Sequence, residues 1–475
     1  MTMTTLLRTG RAFAPLFIAL VLAGCASPPV VEPTAAPAAP AAFKELDGRW
    51  AATPPADAQP RGAWWQSFGD ARLDALVERA ERQNTSLQLA GARLAQARAL
   101  LRSANADRLP QIGLSAGAQR ATASPAFGTA PGTVLNAGVG ISYEPDLFGR
   151  LSKASDAAAL DAQSREALLQ STRLLVQSDV AQAYFALRAL DAERVLVRES
   201  VAAYRDTLSL TERRYRAGDV AELDLARVRT EVASTESQAL ALDRRRAEIE
   251  HALAVLLGEV PSALTVPEAD WNDTLPQVPP GVPSAVLARR PDVAAAQRTM
   301  QAAQLRVGVA QTAWFPDVAL TAQGGFASTD LGDLFKWSAR SWGIGALLSL
   351  PVFDGGRRAA GVQGANAQWD AAAAGYREQV LVAFREVEDQ LSALRLLADE
   401  ASAQAQAVDA AARATALSTS RYRNGYVSQL ELLDARRTEL ANRRLALQVR
   451  AARYQSTIGL IRALGGGWGS PTASS

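Results

Sequence analysis

The chain has very little of the material from which enzyme active sites are usually built. It contains one histidine, His251, and one cysteine, Cys25, among 475 residues. Histidine-based triads, acid–base pairs and metal sites therefore have almost nothing to draw on, and an internal disulfide would need a second cysteine. No glycine-rich phosphate loop follows a strand pattern. Paired-carboxylate catalysis stays open, because carboxylates are many and scattered, but we expect neither an enzyme nor a cofactor.

The sequence also has no large excess of charge of either sign and no long apolar run. Lys and Arg number 50 against 48 Asp and Glu, which argues against a nucleic-acid partner because such proteins need a basic surface. The apolar stretch at 13–21 follows Arg8 and Arg11 and is too short to span a bilayer. It runs into small residues at Leu22-Ala23-Gly24-Cys25, so we predict a secretory signal peptide over 1–24.

The single cysteine stands where a lipid anchor would be expected. Leu22-Ala23-Gly24-Cys25 resembles the lipobox of bacterial lipoproteins, which implies cleavage before Cys25 and acylation of this residue. Ala26 follows it rather than Asp, a pattern that favours the outer membrane. The next residues are rich in Pro and Ala, so we predict a lipid anchor and extended tether over 25–62. An incidental thiol in a signal sequence is the alternative.

What the sequence does contain is an internal duplication. Arg214-Tyr215-Arg216-Ala217-Gly218-Asp219-Val220 returns as Arg421-Tyr422-Arg423-Asn424-Gly425-Tyr426-Val427, an offset of 421 − 214 = 207 positions. Pro145 to Arg150 returns as Pro351 to Arg357 at an offset of 351 − 145 = 206. A period this long is too large for a solenoid unit and indicates a duplicated module.

Each module is predicted to run through a helix, a β-hairpin, a long helix, a tip and a returning helix. Proline and glycine are missing from 152–216, so a helix there would extend on the order of 100 Å. The shorter helices are expected near 71–107 and 283–313. The predicted boundaries are repeat 1 at 63–270 (hairpin 110–143, long helix 150–216, returning helix 220–257), a proline-rich linker at 271–283, repeat 2 at 284–464 (hairpin 316–350, long helix 357–423, returning helix 428–464) and a flexible tail at 465–475.

Each of the four strand patterns alternates apolar with small or polar residues over about ten positions, which is the signal of a transmembrane β-barrel. A half-buried soluble sheet shows the same alternation. Four strands cannot close a membrane barrel, and an open edge in lipid would leave backbone groups unpaired. If these strands span the membrane, several chains must therefore contribute to one barrel. Trp337, Trp342 and Phe335 would suit an aromatic girdle. The residues expected to face lipid are Ile112, Leu114, Val139, Ile141, Val318, Leu320, Trp342 and Ile344.

Several ordered motifs across nearly the whole mature chain resemble one family. They include Trp64-Trp65-Gln66-Ser67-Phe68-Gly69-Asp70, Tyr143-Glu144-Pro145-Asp146-Leu147-Phe148-Gly149-Arg150, Arg289-Arg290-Pro291-Asp292-Val293 and Leu350-Pro351-Val352-Phe353-Asp354-Gly355-Gly356-Arg357. The family is that of TolC-like outer membrane factors, in the lipoprotein (NodT/OprM-type) branch. The resemblance implies a mainly α fold with membrane β-strands: a homotrimeric twelve-stranded outer-membrane barrel continued by a long periplasmic α-helical barrel.

The function that the resemblance implies is the exit duct of a tripartite efflux pump, passing small molecules such as drugs. Such a duct docks with a periplasmic adaptor and an inner-membrane transporter. Two alternatives stay open on the sequence. One is a type I secretion duct of the same architecture, and the other is an envelope-spanning coiled-coil lipoprotein without a pore.

The helical tips are where the resemblance implies a channel constriction. Glu431 and Asp434 match acidic positions of the family, and Tyr422 and Arg423 lie in the preceding helix end. Three copies of each acid around an axis would favour cations. A solvated helix start is the alternative, because acids suit the first turn of any helix.

The turns at the two tips are the expected docking points for the adaptor. Gly218 and Gly425 follow the long helices, where glycine accepts the left-handed backbone that lets a chain reverse. Asp219 and Tyr426 come next in each turn. The neighbouring arginines, Arg214 among them, suit a helix C-terminus, and a latch between helices is the alternative role.

Overall fold

The structure is a computed structural model that describes residues 40, 42–45, 62–122, 131–271, 274–276, 278, 286–287 and 289–466. The predicted signal peptide, Cys25 and most of the predicted tether lie outside these residues. Helices dominate the described chain, and one antiparallel sheet accompanies them, so the predicted fold class is confirmed for a single chain. Within the described ranges, no helix is both long enough and apolar enough to cross a membrane.

In the described chain seven longer helices are divided between the two repeats, four in repeat 1 and three in repeat 2. In repeat 1 they are α1 (Ala71–Gln83), α2 (Thr85–Ala106), α3 (Arg150–Arg216) and α4 (Glu222–Leu256), and in repeat 2 they are α5 (Pro291–Thr312), α6 (Arg357–Arg423) and α7 (Gln429–Ala463). The strands are β1 (Gln111–Ala121), β2 (Gly132–Tyr143), β3 (Asp317–Ser328) and β4 (Arg340–Ser349).

The predicted single helix over 71–107 is wrong, because Asn84 divides it into α1 and α2. The Asn84 Oδ1 atom accepts hydrogen bonds from the N–H groups of Ser86 at 2.9 Å and Leu87 at 3.1 Å, which caps α2. Its Nδ2 donates to the Leu256 carbonyl at 2.7 Å and ties the break to the end of α4. The predicted helix over 283–313 is also interrupted, because residues 286, 287 and 289 are helical, Arg290 is extended, and α5 then starts at Pro291.

The long helices α3 and α6 have 67 residues each and set the length of the molecule. At 1.5 Å per residue each spans about 100 Å. Within the repeats α3 packs along α4 and α6 along α7, while α3 joins the two repeats by packing against both α5 and α7. Toward the tips the helices therefore stand in a row, in the order α4, α3, α7, α6, whereas toward the sheet α5 lies between α3 and α6. The row leaves α4 and α6 at its two ends.

A belt of core residues surrounds the middle of this row. Phe68 packs with its ring centroid 5.0 Å from that of Phe185, which lies 4.7 Å from Tyr454. Trp64 is buried beside them and donates through Nε1 to the Gln177 side chain at 3.0 Å. The Trp64–Phe68 motif, at the start of repeat 1, therefore packs against both α3 and α7.

Part of the predicted tether is packed against this belt rather than extended away from it. Phe43 is buried in the core cluster. The backbone N–H groups of Lys44 and Glu45 donate to the Glu388 carboxylate of α6 at 2.7 and 3.0 Å. Arg395, about two turns further along α6, binds the Glu45 carboxylate at 2.9 Å. The tether is therefore attached to the belt at Phe43.

Candidate membrane sheet and helical tips

The four strands form one sheet in the order β1-β2-β3-β4, and its register decides which side chains share a face. One ladder runs from Ile112 through Ile141 and Ala322 to Ile344. Directly paired residues of antiparallel strands point to the same face, and positions two apart along a strand do so as well. By this rule the register places all eight residues predicted to face lipid on one face. Ile344 is 81% exposed there in the single chain.

The opposite face is made mainly of small and polar residues. Its polar members are Gln111, Ser115, Gln119, Asn136, Ser142, Asp317, Thr321, Gln323, Ser341 and Ser349. Leu347 is an apolar exception on this side, since it pairs with Ala319. A sheet with an apolar outside and a polar inside is what a water-filled membrane barrel requires.

The strands are staggered in a way that also fits a barrel. The ladder that starts at Gln111, the first residue of β1, reaches β4 at Gly345, which is 349 − 345 = 4 residues before the strand ends at Ser349. Four residues are about 14 Å along a strand, and three strand spacings are also about 14 Å. The strand ends lie at one level only if the strands tilt by about 45°, which is the tilt of transmembrane strands.

Aromatic side chains mark both ends of the sheet. At the end that continues into the helices, Phe148 stacks on Phe315 with ring centroids 4.8 Å apart. At the loop end, Phe335 meets Phe326 edge-on at 5.7 Å, and Trp337 is 75% exposed. Girdles of aromatic residues at both interfaces are typical of membrane barrels.

The central pair of strands approaches closely at Gly138 and Gly325. A Cβ on Gly138 would lie 2.9 Å from the Gly324 carbonyl oxygen, and a Cβ on Gly325 would overlap the backbone of Ala137. Both glycines point to the polar face, whereas a Cβ on Gly324, on the apolar face, would meet nothing within 4 Å. The junction between the two hairpins therefore depends on glycine at these two positions.

We expect Gly325→Ala to weaken the β2–β3 pairing by about 1–3 kcal/mol, the usual cost of forcing an extra methyl into a packed site. The matched control is Gly324→Ala, one residue away in open space, which should assemble like the unaltered protein. The measurement is the temperature at which the folded membrane form is lost on gels run without boiling. Equal temperatures for the two variants would mean that the close approach at Gly325 is not required.

Each long helix begins at a corner that an aspartate stabilises. The Asp146 carboxylate accepts from the N–H groups of Leu151 at 2.9 Å and Ser152 at 2.8 Å at the start of α3. Burial alone would raise the pKa of Asp146, but the hydrogen bonds from Ser152 and Leu151 outweigh it and lower that pKa. Asp354 binds the N–H groups of Gly356 and Arg358 in the same way at the start of α6. These contacts account for the duplicated corner motif.

The two tips have the same backbone turn. Gly218 and Gly425 adopt φ values of 82° and 76°, in the left-handed region. The N–H of Asp219 donates to the Arg214 carbonyl at 2.9 Å, and the N–H of Tyr426 donates to the Arg421 carbonyl at the same distance. Both helices thus end in a Schellman turn. The turn residues are exposed, Tyr426 to 76%, so the tips are open to a partner.

The predicted constriction residues lie in the second tip, in different surroundings. Glu431 is exposed in the first turn of α7, and its N–H donates to the Ser428 side chain at 3.3 Å. Asp434 is exposed one turn later, and Arg423 is exposed at the end of α6. Tyr422 is half-buried, and its hydroxyl accepts from Arg214 Nη1 at 3.3 Å. The Arg214–Tyr422 contact joins the two tips, while Glu431 lies in the first turn of a helix that Ser428 caps.

Sequence reasoning missed the polar contacts that hold α7 against repeat 1 near the tips. Gln429 donates through Nε2 to Thr211 Oγ1 of α3 at 2.7 Å in a buried site. Arg436 donates to Thr207 Oγ1 at 2.7 Å, and further up α7 Arg444 binds Glu193 at 2.7 Å. These residues look like ordinary surface positions of a long helix. Only their spacing along one side of α7 would have hinted that they face another helix.

Arg290 is a buried charged group beside the belt with several hydrogen-bond partners. Its side chain is buried and donates to Asp292 at 2.6 Å, to Glu386 of α6 at 2.7 Å and to the Ala463 carbonyl of α7 at 3.1 Å. Burial acts to lower the pKa of Arg290, but the bonds to Asp292 and Glu386 outweigh it and raise that pKa. The Arg-Arg-Pro-Asp motif is therefore a structural clamp between the start of α5 and the two helices of repeat 2.

The rest of the described chain offers no recognisable chemistry. His251 is exposed on α4. The residues that the structure describes contain no group of three or more potential metal ligands.

Comparison with known proteins agrees with this geometry. The family model described as "Outer membrane efflux protein" matches the chain twice, at 76–259 and 282–466, so the duplication is confirmed. The outer membrane protein OprJ of Pseudomonas aeruginosa is 33% identical over 468 residues, covering 95% of each chain. The toluene efflux pump outer membrane protein TtgI of Pseudomonas putida is 32% identical, covering 96% of this chain and 98% of its own.

A solved structure shows the same fold. The outer-membrane channel OprN superposes with a TM-score of 0.84 at 30% sequence identity. The match covers 90% of this chain and 97% of OprN.

Proposed function

The chain belongs to the outer membrane efflux protein family and is the outer-membrane channel of an efflux pump, and on that premise we propose that three copies close one barrel that passes small molecules. The relative TtgI belongs to a toluene efflux pump. This supports small molecules rather than secreted protein chains as the exported class. We further propose that the tips dock with a periplasmic adaptor, which in turn joins an inner-membrane transporter.

The observation that carries the trimer is the pair of open sheet edges. β1 and β4 each pair on one side only in the sheet of the described residues. In lipid those edge groups would each cost several kcal/mol, so the edges must pair with other copies. Two copies would give eight strands, and the interior of such a barrel is filled by its own side chains. Three copies are the fewest that leave a lumen, and they give twelve strands.

The first test is single-channel conductance of the detergent-extracted protein in a planar bilayer, together with its crosslinked mass. We expect a trimeric mass and a small, cation-preferring conductance, because the acidic tips narrow one end of the duct. A monomer without conductance would contradict the shared barrel and would favour the envelope coiled-coil alternative.

The tip turns are proposed as the adaptor contact because they are exposed and project from the end of the helical row. Gly218, Asp219, Gly425 and Tyr426 present two similar turns per chain, hence six in a trimer. An exposed turn whose side chains are not engaged elsewhere in the described chain can contact another protein. Six turns of similar shape suit an adaptor that binds each repeat in the same way. Crosslinking from Tyr426→Cys to the adaptor in membranes tests this, and crosslinks only from mid-helix positions would contradict it.

We expect the double variant Glu431→Gln, Asp434→Asn to lose most of the cation preference of an opened, reconstituted pore. The reason is that six carboxylates of the trimer would leave the narrow end of the duct. The measurement is the reversal potential in a salt gradient. Glu222→Gln with Asp224→Asn, in the equivalent first turn of α4, is the matched control. Unchanged selectivity in the first variant would assign Glu431 to capping of α7 instead.

Acylation of Cys25 is proposed from its sequence alone. The lipid would add an anchor in the inner leaflet of the outer membrane, while the barrel would still span the bilayer without it. The mass of the mature N-terminal peptide tests the proposal. An unmodified N-terminus at Cys25, or a mature chain that starts elsewhere, would contradict it.

A further inference from the structure

Two arginines lie on the apolar face of the sheet, at its loop end. Arg120 of β1 pairs with Thr133, and Arg340 of β4 pairs with Phe326. By the same alternation that places Ile112 and Ile344 on the apolar face, both arginines belong to that face, and both are exposed. Charged residues on this face are costly at the membrane midplane and tolerated only near its interfaces.

The stagger of the strands brings the two arginines to one level. The ladder from Arg340 runs through Phe326 and Ala137 to Ala116, which is 120 − 116 = 4 residues below Arg120. This displacement equals the one at the opposite end of the sheet. The tilt of about 45° that levels the strand ends therefore also levels Arg120 with Arg340.

Neither arginine has a counter-charge in the molecule as described. Within the described ranges, no carboxylate lies at ion-pair distance from Arg120 or Arg340, whereas nearby Lys336 is paired with Asp333. The loop sequence 123–130 contains no Asp or Glu. The Arg340 guanidinium lies 4.3 Å above the ring of Trp337. An exposed tryptophan is typical of the membrane interface, which puts both guanidinium groups at headgroup depth.

Closing the barrel creates a site that one chain lacks. This step rests on the proposed trimer, in which β1 of one protomer pairs with β4 of the next. Because the two arginines stand at one level on opposite edges of the sheet, closure sets Arg120 beside Arg340 of the partner subunit at each of three seams. Like charges that face each other across strands are destabilising unless an anion lies between them.

We propose that each seam binds a phosphate group of a phosphorylated outer-leaflet lipid. Guanidinium groups bind phosphate through paired hydrogen bonds, which makes two of them at one point a strong phosphate site. The apolar face directly below, which includes Trp342 and Leu114, would pack against the acyl chains of the same lipid. Headgroup and chains would thus be held together across the junction between two subunits.

The test measures how lipid A changes the dissociation temperature of the delipidated, detergent-purified trimer. We expect lipid A to raise this temperature, with dephosphorylated lipid A and inorganic phosphate having no such effect. Arg120→Gln and Arg340→Gln should each weaken the apparent lipid A affinity at least tenfold, and the double variant should be little worse than either. Lys336→Gln, whose charge is already paired, is the matched control and should bind as the unaltered protein does.

Undiminished lipid A binding in the double variant would overturn the proposal, and so would equal stabilisation by dephosphorylated lipid A. Stabilisation by inorganic phosphate alone would overturn the lipid as the source of the anion. Arg120→Lys with Arg340→Lys keeps the charge and should recover part of the affinity, which separates binding from misassembly. A conducting trimer that ignores lipid A would reject this inference only, whereas a non-conducting monomer would reject the trimer on which it rests.

Discussion

Replacing Arg290 with alanine is expected to lower the free energy of unfolding of the belt by about 3–5 kcal/mol, the cost of removing one partner from a buried ion pair. The residue is only 5% exposed, and its side chain donates to two carboxylates and one carbonyl. Without it, Asp292 and Glu386 would lose the cation that binds both, and Glu386 would keep, among the described residues, only the longer contact with Arg462 at 4.0 Å. The measurement is the midpoint of denaturant-induced unfolding, with proteolytic cleavage of the belt as the signal that reports unfolding.

The matched control for this variant is Arg298→Ala on the same helix. Arg298 is exposed and bonded through Nη1 to the Gln301 side chain at 3.1 Å, so its loss should change the free energy by less than about 1 kcal/mol. Because the folded-state pKa of Arg290 is raised, its contribution to stability is complete at every pH below the ordinary arginine pKa. The effect of the substitution should therefore not change between pH 6 and 9. Similar midpoints for the Arg290 and Arg298 variants would mean that the clamp is not needed.

Replacing Ile344 with arginine is expected to prevent most of the protein from assembling in the outer membrane. An arginine on the lipid face costs about 2–4 kcal/mol near the bilayer midplane, and a trimer would carry three of them. The measurement is the amount of folded, heat-modifiable protein in outer-membrane fractions. The loss should be much larger than that caused by Cys25→Ala, because the strands rather than the lipid would hold the channel in the bilayer.

The control is Leu347→Arg, three residues further along the same strand. Leu347 is also apolar and exposed in the single chain, but the register places it on the polar face, toward the lumen. An arginine there would meet water, so assembly should persist while conductance changes. Assembly of the Ile344 variant, or equal failure of both, would contradict the assignment of the two faces.

Much of the fold was predictable because it depends on local patterns. The duplicated Arg-Tyr-Arg tips end the long helices with glycine, and the family model confirms the duplication by matching each half. The alternation of β1 to β4 was readable because successive side chains of a strand point to opposite faces. The role of the tip acids was not readable, since an exposed acid in a first helical turn has the same sequence pattern whether it caps the helix or lines a pore.

Other features could not be predicted, because the residues that cause them are distant in sequence. Asn84 divides a helical pattern that is otherwise continuous. The break is stabilised by a hydrogen bond from the Asn84 side chain to the Leu256 carbonyl in another helix. Arg290 stands in a motif that resembled the family, yet its partners Glu386 and Ala463 are distant in sequence. Phe43 packs into the belt, although the Pro- and Ala-rich sequence around it predicts an extended chain.

The sequence by itself determined the two repeats, the positions of the long helices and tips, and the two chemically different sides of the strands, because periodicity and turn residues act over a few positions. Only the tertiary structure decided the pairing of β2 with β3, the stagger that sets the strand tilt, and the row of helices that α3 and α7 join. Register and long-range contacts depend on which elements meet in space, and that choice is made by the packing of the whole chain. The level shared by Arg120 and Arg340 is a product of that register.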